Sequence, residues 1–161
     1  MSLPPDVAEP VVARLRAALE PWRGPEVADG QSVCGAGAHC AGFVVAVAAE
    51  LQGVEDVPPV AAIGRDRLTS RTHRREEFAR MRRDFGYVEE TTTDDLQPGD
   101  VCVWGGRGTG IRHLAIVAPD PGFAWDVVRG GKVGPTTLAM CAPGLQFMAA
   151  VRTPDRVGWG A

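Results

Sequence analysis

The stretch CGAGAHCAGFVVAVAAELQG, Cys34 to Gly53, sets the problem for the whole chain. A glycine-rich loop runs into His39 and Cys40, and an apolar pattern begins at once. Cys40, Phe43, Val44, Val47, Ala48 and Leu51 recur at steps of three and four, which predicts a helix over 40–51 with those residues on one face. Val45, Ala46 and Ala49 make the opposite side apolar too, so this helix belongs in the core, with Gly53 as its C-terminal stop. Cys40 then stands in the first turn. It is either a small apolar residue filling the core or a nucleophile. The N–H groups and dipole at a helix start lower a thiol's pKa, and the same N–H groups can donate to a developing oxyanion. Helix position alone leaves these two readings level.

Outward from that helix, the chain changes period once. Residues 5–21 read as a first helix with Val11, Val12, Leu15, Leu19 and Trp22 near one stripe. Residues 23–39 form a long polar and glycine-rich loop, of a length that often carries function. A Pro-rich connection over 54–64 leads to THRREEFARMRRDFG (72–86), an amphipathic helix with Phe78, Met81 and Phe85 inward and Arg75, Arg82 and Arg83 outward. After it come short strands separated by Gly and Pro: 100–104, 113–118, 123–128 and 145–152. QPGD (97–100) and APDPG (118–122) are the turns that punctuate them. Helices first and strands after predict an α+β fold with an antiparallel sheet, the helical part over about 5–86 and the sheet over about 97–153.

A chain of 161 residues, 45% apolar and 6% aromatic, is read as one domain, 1–161, with one core. A net charge of -3 argues against a surface built for nucleic acid. The segment 65–84 holds eight arginines against four acids, but without interleaved aromatics it reads as a solvated helix face. No apolar run approaches the roughly 20 residues of a membrane span, and MSLPPDVAEP has the pattern of no signal peptide, so synthesis in a cytoplasm is expected. Four irregularly spaced cysteines do not read as a disulfide scaffold; a Cys34–Cys40 bridge is conceivable, and the expected cytosolic origin disfavours it. Cys34, His39 and Cys40 lack metal-ligand spacing, and neither a metal nor a cofactor is expected.

If Cys40 is a nucleophile it needs a base. His73 lies in the basic helix and His39 is a chain neighbour of Cys40, whereas His113 opens an apolar strand beside the loop GGRGTGIR. A third group has to orient the imidazole. Pairing Ala118 with Phe123 across APDPG sets Ala115 opposite Asp126, one diagonal step from His113 and on the same face. A two-residue shift would put Asp126 directly opposite His113, and a one-residue slip would turn it away. Asp126 is therefore a candidate orienting group, or else an exposed strand carboxylate. Cys102 and Cys141, within or beside strands, read as buried and inert.

Taken in order, GAGAHCAGFVVAV, LQPGDVCVW and RHLAIV resemble the NlpC/P60 superfamily of papain-like cysteine peptidases, over roughly residues 20 to 150. That family commonly shows a Gly-rich approach, D-C-S/A-G-F-V, then L-x-P-G-D-L-V-x-F, then H-V-G-I-Y/V. The loop PWRGPEVADGQSVCGAGAHC looks most like the peptidases of phage-tail and gene-transfer-agent clusters. The related CHAP amidases resemble only the GDVCVWGG and HLAIV portions, and the Glu and Asn they usually carry after the His strand are not found. The resemblance implies a papain-like fold, its nucleophile helix packed on a small antiparallel sheet, with Cys40 as nucleophile, His113 as base and Asp126 as third residue. Gly37, His39 and Ala41 would line the substrate and oxyanion side, with Trp22 the nearest match to the family's aromatic in the first loop. The family's Asp before the nucleophile is His39 in this chain, which would fix the loop in its own way or tune the thiol.

The activity so implied is a cysteine endopeptidase acting on peptidoglycan stem peptides, on an amide next to a D-amino acid. The resemblance and the missing leader together suggest carriage on a phage-like tail, with tail hub proteins as partners. Two rivals remain. One is an inactive structural tail-tip protein, which Cys40→Ala would refute by blocking transfer with particle assembly intact. The other is a thiol-dependent amidase or acyltransferase, which product analysis separates from a peptidase.

Overall fold

The computed structural model describes residues 5–23, 43, 44, 47, 48, 50, 51, 53, 89–91, 93–106, 110–127 and 132–152. Apart from Arg23, the 23–39 loop lies outside them, as do the 54–64 connection, the 72–86 helix and the basic segment 65–84. The first helix, α1, spans Pro5–Leu19 and runs on into a 3-10 turn, Glu20–Trp22. Pro10 lies inside it, in the second turn, and removes one backbone hydrogen bond there. Val11, Leu15, Ala18 and Leu19 are buried, on the stripe expected from the sequence. The described residues at 43–51, here α2, are helical. Phe43, Val44, Val47, Ala48 and Leu51 are buried and Glu50 is exposed. Gly53 takes φ +67° and its N–H donates to the Glu50 carbonyl, ending the helix in the left-handed conformation that glycine adopts without strain.

Six strands form one sheet among the described residues: β1 Glu89–Thr91, β2 Val101–Gly106, β3 Gly110–Val117, β4 Phe123–Val127, β5 Val133–Thr137 and β6 Gln146–Arg152. Their order is β1-β6-β2-β3-β4-β5, and every neighbouring pair is antiparallel. The α+β class and the antiparallel sheet are as the sequence predicts. Two strands were not expected. β1 is three polar residues, too short for an alternation to register, so the sheet begins before residue 97. β5 contains Gly134 and Pro135, which read as a breaker. It is an edge strand, where a missing N–H costs no ladder bond. A four-residue helix, α3 Leu138–Cys141, follows β5.

The two punctuating turns form as read. In QPGD the Asp100 N–H donates to the Gln97 carbonyl (3.0 Å), with Pro98 second and Gly99 at φ +87°, the arrangement of a type II turn. In APDPG the Ala118 N–H donates to the Phe123 carbonyl (2.9 Å) and Gly122 has φ +81°. Ile116 then pairs with Trp125 and Val117 with Ala124.

Alternation along the strands gives the sheet two faces. Val101, Val103, Leu114, Ile116, Trp125 and Val151 join one core with α1 and α2. Cys102, Trp104, Ala115, Val117, Ala124 and Ala150 join a second, smaller cluster with Cys141, packed by Leu138, Leu145 and Phe147. The ladder shifts register on both sides of β2 next to Trp104, beside the paired His113.

Asp100, from the LQPGD motif, is fully buried and anchors the sheet. Arg152 on β6 donates through Nε to its Oδ1 (2.8 Å) and through Nη2 to its Oδ2 (2.6 Å). The same Nη2 reaches the Asp95 carbonyl, and the Gln97 N–H donates to Asp100 Oδ2 (2.8 Å). This motif Asp is thus a structural clamp between the turn and the last strand. At the other edge Arg23, after the 3-10 turn, lies 4.8 Å over the Trp125 ring and bridges Val133, tying α1 to β5.

Candidate functional site

His113 is the fourth residue of β3, inside the strand rather than at its opening, because the strand starts at Gly110. It pairs with Trp104 on β2, and the two rings lie with centroids 5.9 Å apart. The β3–β4 register is the one in which Ala118 meets Phe123, so Asp126 comes to His113 on the diagonal and on the same face. His113 Nε2 and Asp126 Oδ2 are 2.9 Å apart, and both side chains are buried. Thr136 Oγ1 on β5 donates to the other carboxylate oxygen, Oδ1 (3.1 Å).

The third contact was not foreseen. Cys141, at the end of α3, lies with Sγ 3.2 Å from Asp126 Oδ2 and 3.8 Å from His113 Nε2. It is buried, as expected, and it touches both members of the pair, a contact the sequence did not reveal. Nothing local in TTLAMCAPG marks it, since it is brought in by a four-residue helix 15 residues after Asp126 in sequence. Its only sequence signal was being one of four cysteines.

The geometry separates the roles of these groups. With Asp126 as a carboxylate it accepts only, so Nε2 carries the ring proton and donates to it. Nδ1 is then the basic nitrogen. Cys141 approaches the Nε2 side, already taken by the carboxylate, and its S–H donates to Asp126. A thiol in that position cannot hand its proton to Nδ1, so Cys141 is not placed as the nucleophile of this pair. Burial also pushes its thiol up from 9.0 to about 11, with the contact to His113 opposing it only in part. Cys102, on β2, is pushed further in the same direction by burial, with Asp100 adding to it.

A consequence can be measured. The folded-state pKa of Cys141 lies above the unfolded one, so its contribution to stability is complete below about pH 9. It is lost as the pH rises through about 11. Iodoacetamide at pH 8 should leave Cys141 unmodified in the folded protein. Unfolding titrations should show Cys141→Ala losing about 2 kcal/mol less than the unmodified chain between pH 8.5 and 11. Equal alkaline losses in the two proteins would contradict the burial described.

Of the remaining sequence candidates, Trp22 is half-buried and packs edge-on against Phe43, ring centroids 5.4 Å apart, on the core side of the sheet. Cys40, His39, Gly37 and Ala41 lie outside the described residues. The helix that Cys40 is read to open covers the Leu114 and Ile116 face, while His113 stands on the other. No helix among the described residues is long and apolar enough to cross a membrane. No family model matches the sequence, and no curated protein matches it either.

Proposed function

We propose that this protein is a cysteine peptidase of the NlpC/P60 kind, with Cys40 as nucleophile and His113 as base. On this reading it hydrolyses an amide in the peptide stem of peptidoglycan. The observation that carries the reading is the buried His113–Asp126 pair, in which the carboxylate holds Nε2 and leaves Nδ1 as the base. Its place in the chain, after LQPGDVCVW and within RHLAIV, is where the resemblance puts a catalytic histidine. The thiolate of Cys40 attacks the carbonyl carbon while N–H groups at the start of its helix hold the oxyanion. Imidazolium Nδ1–H protonates the leaving amine, and Nδ1 then takes a proton from the water that releases the acyl group. Asp126 keeps the ring in the one tautomer that serves both steps, and Thr136 keeps the carboxylate aimed at it.

The proposal makes one geometric demand. The described residues of α2 pack on the face opposite His113, and the reading requires Cys40 Sγ to reach Nδ1. Carriage on a phage-like tail, with tail proteins as partners, belongs to the same reading and rests on the sequence resemblance.

Digestion of purified sacculi and of defined muropeptides tests the activity. The expected product is a cut stem peptide with a new free amine and a new free carboxylate, formed without added metal. A new amide or ester in place of the free carboxylate would make the protein a transferase. Intact muropeptides after long incubation with folded protein would contradict the reading.

A further inference from the structure

His113 Nε2, Asp126 Oδ2 and Cys141 Sγ come from β3, β4 and α3, and all three side chains are buried. Their separations are 2.9, 3.2 and 3.8 Å. Tetrahedral zinc bound by one nitrogen, one oxygen and one sulfur holds those atoms about 3.3 to 3.6 Å apart, given metal bonds of about 2.0 to 2.3 Å. A point roughly 2 Å from all three atoms exists at the centre of this triangle, so binding requires shifts of only a few tenths of an ångström. Thr136 Oγ1 already fixes the far carboxylate oxygen, as an outer partner of a metal ligand does.

We propose that His113, Asp126 and Cys141 form a binding site for one zinc-class divalent cation. The mixed thiolate, imidazole and carboxylate set selects such a metal over magnesium or calcium, which take oxygen ligands. Charge supports it as well. A thiolate and a carboxylate cancel the two positive charges of the ion, so the occupied site is neutral despite its burial. Binding releases the Cys141 thiol proton to solvent. The ring proton of neutral His113 moves from Nε2 to Nδ1 as Nε2 becomes a ligand, and one proton leaves per ion. Three protein ligands leave a fourth position for water.

Binding itself does not depend on the peptidase reading. Its consequence for catalysis does: with Nδ1 protonated and Nε2 on the metal, His113 cannot accept the proton of Cys40. Zinc would then be a reversible inhibitor acting at the base.

The test is a titration of the full chain with Zn2+ against a chromophoric chelator, and with Co2+ by absorption. One ion per chain is expected, with a thiolate-to-cobalt charge-transfer band in the near ultraviolet. Cys141→Ser and Asp126→Asn should each weaken binding at least about 10-fold. The cobalt band should disappear in Cys141→Ser and persist in Cys40→Ala. Circular dichroism checks that each variant is folded. Thr136→Val, a milder change, should weaken binding about 10-fold with the band retained. Absence of one-to-one binding in the folded chain would overturn the proposal. So would a cobalt band that survives Cys141→Ser and is lost in Cys40→Ala. These readouts need no hydrolysis, so an inactive protein that binds zinc would refute only the peptidase reading.

Discussion

Cys40→Ala and His113→Ala are each expected to lower kcat on a muropeptide substrate by about 10³-fold or more, with KM little changed. On the proposed reading the nucleophile and the base act as a unit, so the double variant should be hardly worse than either single one. Asp126→Asn tests the tautomer argument within the same machinery. An amide can present an N–H to Nε2, which moves the ring proton to Nδ1 and removes the base. A loss of about 10² to 10⁴ in kcat is expected, with the fold intact. Burial of Asp126 between His113, Thr136 and Cys141 makes this a chemical effect rather than a surface one. Steady-state kinetics on one purified muropeptide checks all four variants. An Asp126→Asn enzyme as active as the parent would mean that the carboxylate does not set the ring's protonation.

Asp100→Ala is expected to be strongly destabilising. It leaves the Arg152 guanidinium buried without the carboxylate that receives two of its N–H groups. It also strips the Gln97 N–H of its acceptor in the type II turn. Breaking a buried ion pair from one side costs about 3 to 5 kcal/mol, a large share of the roughly 5 to 15 kcal/mol by which domains are stable. For a domain of this size the melting temperature should fall by about 10 °C. Removing both partners, as Asp100→Leu with Arg152→Met, should recover most of that loss, because a well-packed apolar pair replaces a buried pair at little cost. Loss of the Gln97 N–H bond to Asp100 would keep the double variant somewhat below the parent. Thermal melts of the parent and these two variants decide this. A double variant no better than Asp100→Ala would place the cost in the turn instead of the ion pair.

The sequence was most legible where local chemistry alone sets geometry. APDPG fixes the β3–β4 register through one hydrogen bond and one positive-φ glycine, and that register delivers Asp126 to His113. QPGD is likewise self-contained, although the burial of its Asp100 against Arg152 is not, since the partner lies 52 residues away. The apolar stripe of α1 and the described face of α2 follow the helical period because burial enforces it. What escaped was set by position in the sheet. β5 could be read only by knowing that it is an edge, where Pro135 is tolerated. Cys141 could be read only by knowing that α3 folds back under β4, a long-range contact with no periodic trace. The strand opening expected at His113 falls late because GGRGTG reads as loop, whereas Gly106 and Gly110 already pair across it.

The apparent pKa of the Cys40 thiol is the most direct test of the account. It is read from the pH dependence of iodoacetamide alkylation, with the Cys40 adduct resolved by peptide mass, in the parent chain and in His113→Ala. A thiol that titrates well below the free value of about 8.5, and whose titration moves when His113 is removed, is the predicted result. A Cys40 that alkylates slowly, or titrates alike in both proteins, would contradict the pairing and leave Cys40 a packing residue at the start of a core helix.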